Sequence, residues 1–353
     1  MKLRSAKCEV WTMDRSPFSL FALCYSSFIP HPSSFIPHPS SLIPPMTCFP
    51  QVIAVVGPTA SGKTSLAIQL AEHLGTEIIS ADSMQFYNGM RIGTAAATAE
   101  EMARVKHHCV GFLDPSESFS AGAFQTRGRE IILSLNAQGK PAVVVGGSGL
   151  YVRALIDGLF PGPGKDDAIR HRLHQEATEQ GVAPLYARLL KVDPDYAQTI
   201  HLNDLRRIVR ALEVYEVAGA PLSQLHREHR ESTVPLDAVQ VAIDYPRETL
   251  YARINARVDR MMHEGFIEEV RTLLDQGYAP HIERLRSLGY REVAACLRGE
   301  CSLDEATEQM KQNTRRYAKR QLTWFRADPR VQWLKASENT THDTLLEMCM
   351  ALL

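Results

Sequence analysis

Short apolar runs rich in β-branched residues alternate with longer amphipathic segments from Gln51 onward. The runs predict five strands, at residues 52–56, 77–81, 142–145, 239–243 and 331–334. Apolar positions at helical spacing predict helices at residues 168–180, 183–191, 205–217, 248–276 and 303–325. Alternating strands and helices are typical of an α/β fold with a parallel sheet, and the helices between the third and fourth strands indicate an insertion.

The pattern also suggests domain boundaries. Residues 1–49 form a low-complexity leader, because residues 26–45 repeat the unit Ser-Ser-Phe-Ile-Pro-His-Pro, whose prolines suit neither helix nor sheet. Residues 50–160 are predicted as the first part of the core and residues 161–203 as a helical insertion that begins at Pro161-Gly162-Pro163-Gly164. Residues 204–353 hold the rest of the core and a helical C-terminal part.

The composition of the leader allows three interpretations. It is disordered, or it is a targeting peptide, since Lys2, Arg4 and Lys7 precede an apolar stretch. Alternatively it is not translated, because Met46 stands just before the first strand. N-terminal sequencing of the native protein separates the last reading from the others.

Composition restricts the class of protein. The chain has 353 residues, 44% of them hydrophobic, and it has no apolar run long enough to cross a membrane. Seven scattered cysteines without metal-ligand spacing predict free thiols and a cytoplasmic protein. The net charge is −1, so nucleic-acid binding requires a local basic patch. One such patch is present between Lys311 and Arg330.

A phosphate-binding loop follows the first predicted strand. Residues 57–64 match G-x-x-x-x-G-K-[ST] completely, between a strand and a helix, so backbone N–H groups and the helix N-terminus are expected to hold phosphate. The strand at 142–145 runs into Gly146-Gly147 and lacks the aspartate usual in nucleoside triphosphatases. Instead Asp82 ends the strand at 77–81. A carboxylate there can act as a base or hold Mg²⁺ through water.

Eight segments in order resemble the tRNA dimethylallyltransferases of the bacterial type. They are residues 57–64, 82–85, 93–95, 107–108, 146–151, 204–214, 286–291 and 319–326. Ser148 stands where threonine is commoner in that family, and it retains the hydroxyl. The resemblance implies a P-loop NTPase-like core and transfer of a dimethylallyl group from dimethylallyl diphosphate to N6 of the adenosine beside the anticodon. It also implies Mg²⁺, a tRNA anticodon stem-loop as partner, and a monomer.

The resemblance also assigns site residues. Asp82, Lys63 and Thr64 are expected to be catalytic, and Thr64 to be the Mg²⁺ ligand. The diphosphate is expected to contact Gly57, Pro58, Thr59, Ala60, Ser61, Gly62, Lys63, Thr64, Arg253 and Arg257. The tRNA is expected to contact Asp82, Ser83, Met84, Gln85, Ser148, Arg170, Arg206, Arg207, Arg210, Arg286, Ser287, Leu288, Gly289, Tyr290, Arg291, Lys319, Arg320, Trp324 and Arg326.

Other functions remain open from the residues alone. An adenylate isopentenyltransferase shares the phosphate loop and the Asp-Ser-Met-Gln segment, but it needs no RNA-binding helices. A small-molecule kinase shares the phosphate loop and a strand-end carboxylate. An RNA-binding protein with an inactive phosphate loop would retain tRNA without turnover.

Overall fold

The computed structural model describes residues 49–353, so most of the predicted leader lies outside the described residues. Its centre is a six-stranded sheet in which every strand pair is parallel. The strands are β1 (Val52–Val56), β2 (Ile78–Ser80), β3 (His107–His108), β4 (Ala142–Gly146), β5 (Ala238–Asp244) and β6 (Val331–Lys335). Their order is β3-β2-β4-β1-β5-β6. The predicted α/β class and all five predicted strands are confirmed.

Both faces of the sheet are buried. Alternate residues of β1 enter two different cores: Val52, Ala54 and Val56 join one, and Ile53 and Val55 join the other. Helices cover each face, which explains why β1 and β4 read as continuous apolar runs rather than as alternating ones. The loops at the carboxyl ends of the strands therefore carry the polar residues.

Fifteen helices surround the sheet in the part of the chain that the structure describes. They are α1 (Lys63–Leu74), α2 (Ala99–Arg104), α3 (Ala121–Asn136), α4 (Gly149–Asp157), α5 (Asp167–Gln180), α6 (Ala183–Val192), α7 (Pro194–Gln198), α8 (Leu205–Ala218), α9 (Leu222–Ser232), α10 (Arg247–His263), α11 (Phe266–Asp275), α12 (Ala279–Leu285), α13 (Tyr290–Leu297), α14 (Leu303–Arg326) and α15 (His342–Met350).

Besides helices that the sequence did not predict, such as α3 and α4, two elements differ from the prediction. The helix predicted at 248–276 is two helices, because Gly265 between α10 and α11 adopts a φ of 96° that ends the helical path. The strand β3 was not predicted, since two histidines carry no strand periodicity. It pairs with β2, and His108 Nε2 lies 2.5 Å from Glu77 Oε2.

Helices α5 to α9 share a hydrophobic core of their own. Leu173 of α5, Leu189 of α6, Ile208 and Leu212 of α8 and Leu222 of α9 are buried together in it. This core extends past residue 203, where the sequence suggested the end of the insertion, and includes α8 and α9. Among residues 49–353, no helix combines the length and the apolar character needed to span a membrane.

Candidate functional site

Three loops meet where β1, β4 and β2 end. The three strands are neighbours with β4 in the middle, so the phosphate loop, the loop at Gly147-Ser148 and the segment that begins at Asp82 lie at one edge. The backbone N–H of Ser83 donates to Ser148 Oγ at 3.3 Å, which joins two of these loops. The parallel topology thus brings together the motifs that the sequence keeps far apart.

The phosphate loop has the expected curled backbone. Gly57, Ala60 and Gly62 have φ values of 124°, 62° and 85°, and α1 begins immediately afterwards at Lys63. Such a curl turns successive N–H groups inward and places them at the helix N-terminus. The buried hydroxyl of Ser61 has no hydrogen-bond partner among the described residues. The loop is therefore built to receive an anion.

Two cations, Lys63 and Arg257, lie beside this loop, and partial removal from water disfavours their charged forms. Burial, followed by the nearby charge of Arg257, lowers the pKa of Lys63 to about 8, and Asp82 partly opposes this change. Burial likewise lowers the pKa of Arg257 to about 10. Lys63 Nζ donates to Pro58 O at 3.2 Å. An arriving diphosphate would supply negative charge to these two half-buried cations.

Arg253 supports the phosphate loop directly. Its Nε donates to Ala60 O at 2.9 Å, and its guanidinium lies 4.8 Å from the centroid of the Tyr245 ring. A Cβ added at Gly62 would come 3.4 Å from Arg253 Nη2. The structure therefore brings Arg253 and Arg257 from α10 to the loop, as the resemblance implied, and gives Arg253 a bracing contact besides.

A cavity of about 880 Å³ opens next to the phosphate loop. Lys63, Arg253 and Arg257 give part of the lining positive charge beside the Thr64 hydroxyl, and Glu100, Glu101 and Glu264 line the cavity as well. Small and apolar side chains form another part of its wall: Ala60, Ile92, Ala95, Ala96, Ala97, Ala256 and Met261. An anionic head with a short hydrocarbon tail matches this division of the surface.

The residues fit Mg²⁺ only as part of a complex with phosphate. Among residues 49–353, no group of three or more His, Cys, Asp or Glu side chains could hold a metal ion. Mg²⁺ commonly takes one or two protein ligands and completes its shell with water and substrate phosphates. The hydroxyl-bearing Thr64 lines the cavity and can serve as such a ligand.

Asp82 stands between the cations and the remaining polar groups. Its Oδ1 accepts from the Met84 N–H at 3.0 Å, and the side chain is half-buried. Its charge raises the pKa of Lys63, Arg257 and the Tyr317 hydroxyl, so all three lie within electrostatic reach. A carboxylate in this position can accept a proton close to a bound diphosphate.

Helix α14 contributes two site residues that sequence reasoning missed. Gln321 is buried; its Oε1 accepts from the Thr59 N–H at 2.9 Å and its Nε2 donates to Gly147 O at 2.9 Å. One turn earlier, burial and then the charge of Asp82 raise the pKa of Tyr317, and the Ser148 and Gln321 side chains partly oppose this change. Gln321 lies within the 319–326 motif, but only the charged and aromatic residues of that motif were selected.

The segment 82–85 faces the site only in part. Gln85 Oε1 accepts from Ser80 Oγ at 2.7 Å, while its Nε2 donates to the carbonyls of Thr94 and Ala95 at 3.2 and 3.1 Å. Met84 packs against the main hydrophobic core. The side-chain amide of Gln85 is thus occupied internally, and its expected role as a tRNA contact stays a prediction.

The segment 286–291 divides into buried and exposed residues. Tyr290 is fully buried, and its hydroxyl donates to Glu269 Oε1 at 2.6 Å. Ser287 and Gly289 are also buried, whereas Leu288 is half-buried and Arg286 and Arg291 are exposed. The buried residues pack internally, and the tRNA contact expected of them stays a prediction. Arg286 and Arg291 keep that role as a hypothesis.

The arginines of the helical insertion surround one buried carboxylate. Arg170 Nε and Nη2 donate to the two oxygens of Glu213 at 2.8 and 2.9 Å, and Arg210 Nη1 donates to Glu213 Oε2 at 2.8 Å. Glu213 is fully buried, so these pairs balance its charge. Arg206 and Arg207 are exposed, and Arg207 pairs with Asp204.

Much of the basic patch is paired as well. Lys311, Arg315, Arg326 and Arg330 form ion pairs with carboxylates. Lys319 and Arg320 are exposed and take part in no ion pair within residues 49–353. The half-buried Trp324 lies under Arg153 at 4.7 Å and against Gly149, where an added Cβ would overlap its ring. The free positive charge of this patch is therefore smaller than the sequence suggested.

Comparisons with known proteins agree with this geometry. A model of the IPP transferase family matches residues 85–328. A tRNA dimethylallyltransferase of Geobacter sulfurreducens is 48% identical over 82% of this chain and 93% of its own length, and one of Syntrophobacter fumaroxidans is 49% identical over 81% and 84%.

Solved structures agree too. A tRNA isopentenylpyrophosphate transferase of Bacillus halodurans matches with a TM-score of 0.63 and 40% identity, over 85% of this chain and 95% of the other. A eukaryotic dimethylallyltransferase solved acting on tRNA matches with a TM-score of 0.73 and 29% identity, over 84% and 76%. With more than half of its residues matched and relatives near 50% identity, the chain belongs to the IPP transferase family.

Proposed function

We propose that this protein transfers the dimethylallyl group of dimethylallyl diphosphate to N6 of the adenosine at position 37 of tRNA, next to the anticodon, and releases diphosphate. The observation that carries the proposal is the placement of Asp82 beside the cationic phosphate site, with Lys63 and Arg257 in its field. The names of the relatives support the same reaction.

On the donor side, the protein catalyses the reaction by stabilising the diphosphate anion as it leaves. As the bond between the allylic carbon and the diphosphate oxygen breaks, negative charge grows on the diphosphate. The loop amides from Gly57 to Thr64, with Lys63, Arg253 and Arg257, are placed to receive that charge. Mg²⁺, held by Thr64 and phosphate oxygens, would supply further neutralising charge when it is bound.

Asp82 serves the acceptor. The N6 amine of adenine is a weak nucleophile because its lone pair is delocalised into the ring, so orientation and proton removal are required. The Asp82 carboxylate accepts a hydrogen bond from N6–H and takes that proton as the bond from N6 to the allylic carbon forms. Ser148, which accepts from the N–H of the residue after Asp82, and Tyr317, which lies within electrostatic reach of Asp82, can contact the same base.

The acceptor base must leave its stack to reach this site, and the RNA around it must be held by its phosphates. Exposed cations are suited to holding those phosphates, and the chain presents Arg206, Arg207, Arg286, Arg291, Lys319 and Arg320 at its surface. We infer that the helical insertion, the segment 286–291 and α14 carry these contacts, and that the protein works as a monomer on the anticodon stem-loop.

The test is mass spectrometry of nucleosides from tRNA after incubation with the protein, dimethylallyl diphosphate and Mg²⁺. A mass gain on adenosine of one dimethylallyl group at position 37 is expected. Parallel incubations with free AMP and with labelled ATP separate the rival reactions. Alkylation of AMP in preference to tRNA, or phosphoryl transfer from ATP, contradicts the proposal.

A further inference from the structure

One wall of the cavity is a short segment, Arg91 to Ala97, which we call the strap. Five of its residues line the cavity: Arg91, Ile92, Ala95, Ala96 and Ala97. The strap lies between Met90 and Thr98, outside any helix or strand, and α2 begins at Ala99. A wall without regular secondary structure needs other contacts to hold its shape.

A single carboxylate supplies most of those contacts. Glu269 of α11 accepts three consecutive backbone N–H groups: Oε2 from Arg91 at 2.9 Å and Ile92 at 2.8 Å, and Oε1 from Gly93 at 3.1 Å. Oε1 also accepts the Tyr290 hydroxyl at 2.6 Å. Four donors on one carboxylate make charge-assisted bonds, which are stronger than bonds between neutral groups.

The strap is pinned from other sides as well. Gln85 donates to the carbonyls of Thr94 and Ala95, and a Cβ at Gly93 would overlap the rings of Phe266 and Tyr290. Ala95 is held at a φ of 46°, a left-handed conformation that costs about 1 kcal/mol or more in a residue with a Cβ. Surrounding contacts must impose this conformation, so the shape of the wall depends on them.

We propose that Glu269 is a positioning residue for the prenyl donor: it holds the strap so that Ile92 and the three alanines form the surface against which the hydrocarbon part of the donor packs. This inference rests on the proposed function. The proposal assigns the two parts of the donor to two parts of the cavity. The phosphate loop and the arginines hold the diphosphate, and the strap holds the hydrocarbon. Glu269 touches neither part of the donor.

Glu269→Gln is the variant that tests the proposal. It keeps the volume of the side chain and removes the charge, and its NH₂ group cannot accept from the Gly93 N–H. Glu268→Gln is the matched control. The neighbouring Glu268 is 67% exposed, and within residues 49–353 it forms an ion pair with Arg271 alone, at 3.2 Å.

Two ligands, dimethylallyl diphosphate and inorganic pyrophosphate, distinguish a loosened strap from a general loss of structure. For Glu269→Gln we expect the KM for dimethylallyl diphosphate to rise about tenfold, while the inhibition constant for inorganic pyrophosphate and the KM for tRNA stay within about twofold of wild type. Pyrophosphate binds to the phosphate loop and has no hydrocarbon, so a loosened strap should weaken the binding of the donor only. Equal losses for donor and pyrophosphate, or no loss at all, overturn the proposal.

Amide hydrogen exchange gives a readout that does not need activity. The N–H groups of residues 91–93 should be protected in wild type and in Glu268→Gln, and exposed to exchange in Glu269→Gln. Unchanged protection in Glu269→Gln overturns the proposal. If that variant does not fold, Tyr290→Phe, which removes one of the four donors, should raise the donor KM about threefold by the same logic. If wild type transfers no prenyl group, the proposed function fails, whereas the exchange result still decides whether Glu269 holds the strap.

Discussion

The lowered pKa of Lys63 predicts that donor affinity depends on pH. Burial, and then the charge of Arg257, bring this pKa from 10.5 to about 8 in the free protein. The protonated amine attracts the diphosphate, whereas the neutral amine does not. Phosphate groups lose their last proton with a pKa of about 6, so the charge on the donor changes little above pH 7. The affinity for dimethylallyl diphosphate should therefore fall as the pH rises through about 8.

The size of the effect follows from the fraction of protonated Lys63. With a pKa of about 8, that fraction falls from roughly nine-tenths at pH 7 to roughly one-tenth at pH 9. If only the protonated form binds, the dissociation constant rises about tenfold over this range, which is about 1.4 kcal/mol. Isothermal titration calorimetry of the donor without tRNA, at constant Mg²⁺, measures it.

Two substitutions should move the midpoint in opposite directions. Arg257→Gln removes a neighbouring positive charge, so the pKa of Lys63 and the midpoint should move to higher pH. Asp82→Asn removes the negative charge that raises this pKa, so the midpoint should move to lower pH. Lys63→Ala should bind weakly at every pH with no midpoint. A dissociation constant that stays flat from pH 7 to pH 9 in wild type refutes the reasoning.

Three substitutions, two of them already named, test the division of labour at the site. Lys63→Ala should abolish most turnover and leave tRNA affinity nearly intact, because Lys63 faces the diphosphate; parallel losses in both assays would show that the sites are not separate. Asp82→Asn should slow single-turnover transfer by about 10² to 10⁴ with both substrates bound; rescue by added Mg²⁺ would assign Asp82 to the metal instead. Gln321→Glu retains an acceptor for the Thr59 N–H but sets a carboxylate against Gly147 O. It should lower kcat/KM for the donor about tenfold and lower the melting temperature, and wild-type values for both would remove Gln321 from the site.

Local sequence determined the elements that rest on periodicity and on motif chemistry. The five longer strands and the phosphate loop were predictable, because a buried parallel strand is a continuous apolar run and the loop needs glycines at fixed spacing. The paired histidines of β3 carried no such signal. The break at Gly265 was missed because the apolar periodicity of α10 continues into α11 and hides the change of direction.

The candidate site needed the topology. Asp82, Lys63 and Ser148 are recognisable in the sequence, but only the order β2-β4-β1 places their three loops side by side. Gln321 and Tyr317 come from a helix more than 250 residues after the phosphate loop, and the sequence offers no rule that pairs a glutamine with a backbone amide at that separation.

Tertiary structure decided the partners of many charged residues, although Arg210 and Glu213 also stand three residues apart on one helix. A sequence counts Arg170, Arg210 and Arg326 as positive charge, yet folding sets each of them against a carboxylate. It likewise buries Tyr290, whose motif suggested an RNA contact, beneath the strap as a donor to Glu269. Side-chain type and spacing determine what chemistry a residue can perform. The group on which a residue performs that chemistry depends on contacts between distant segments. Those contacts form only when the sheet and its helices pack.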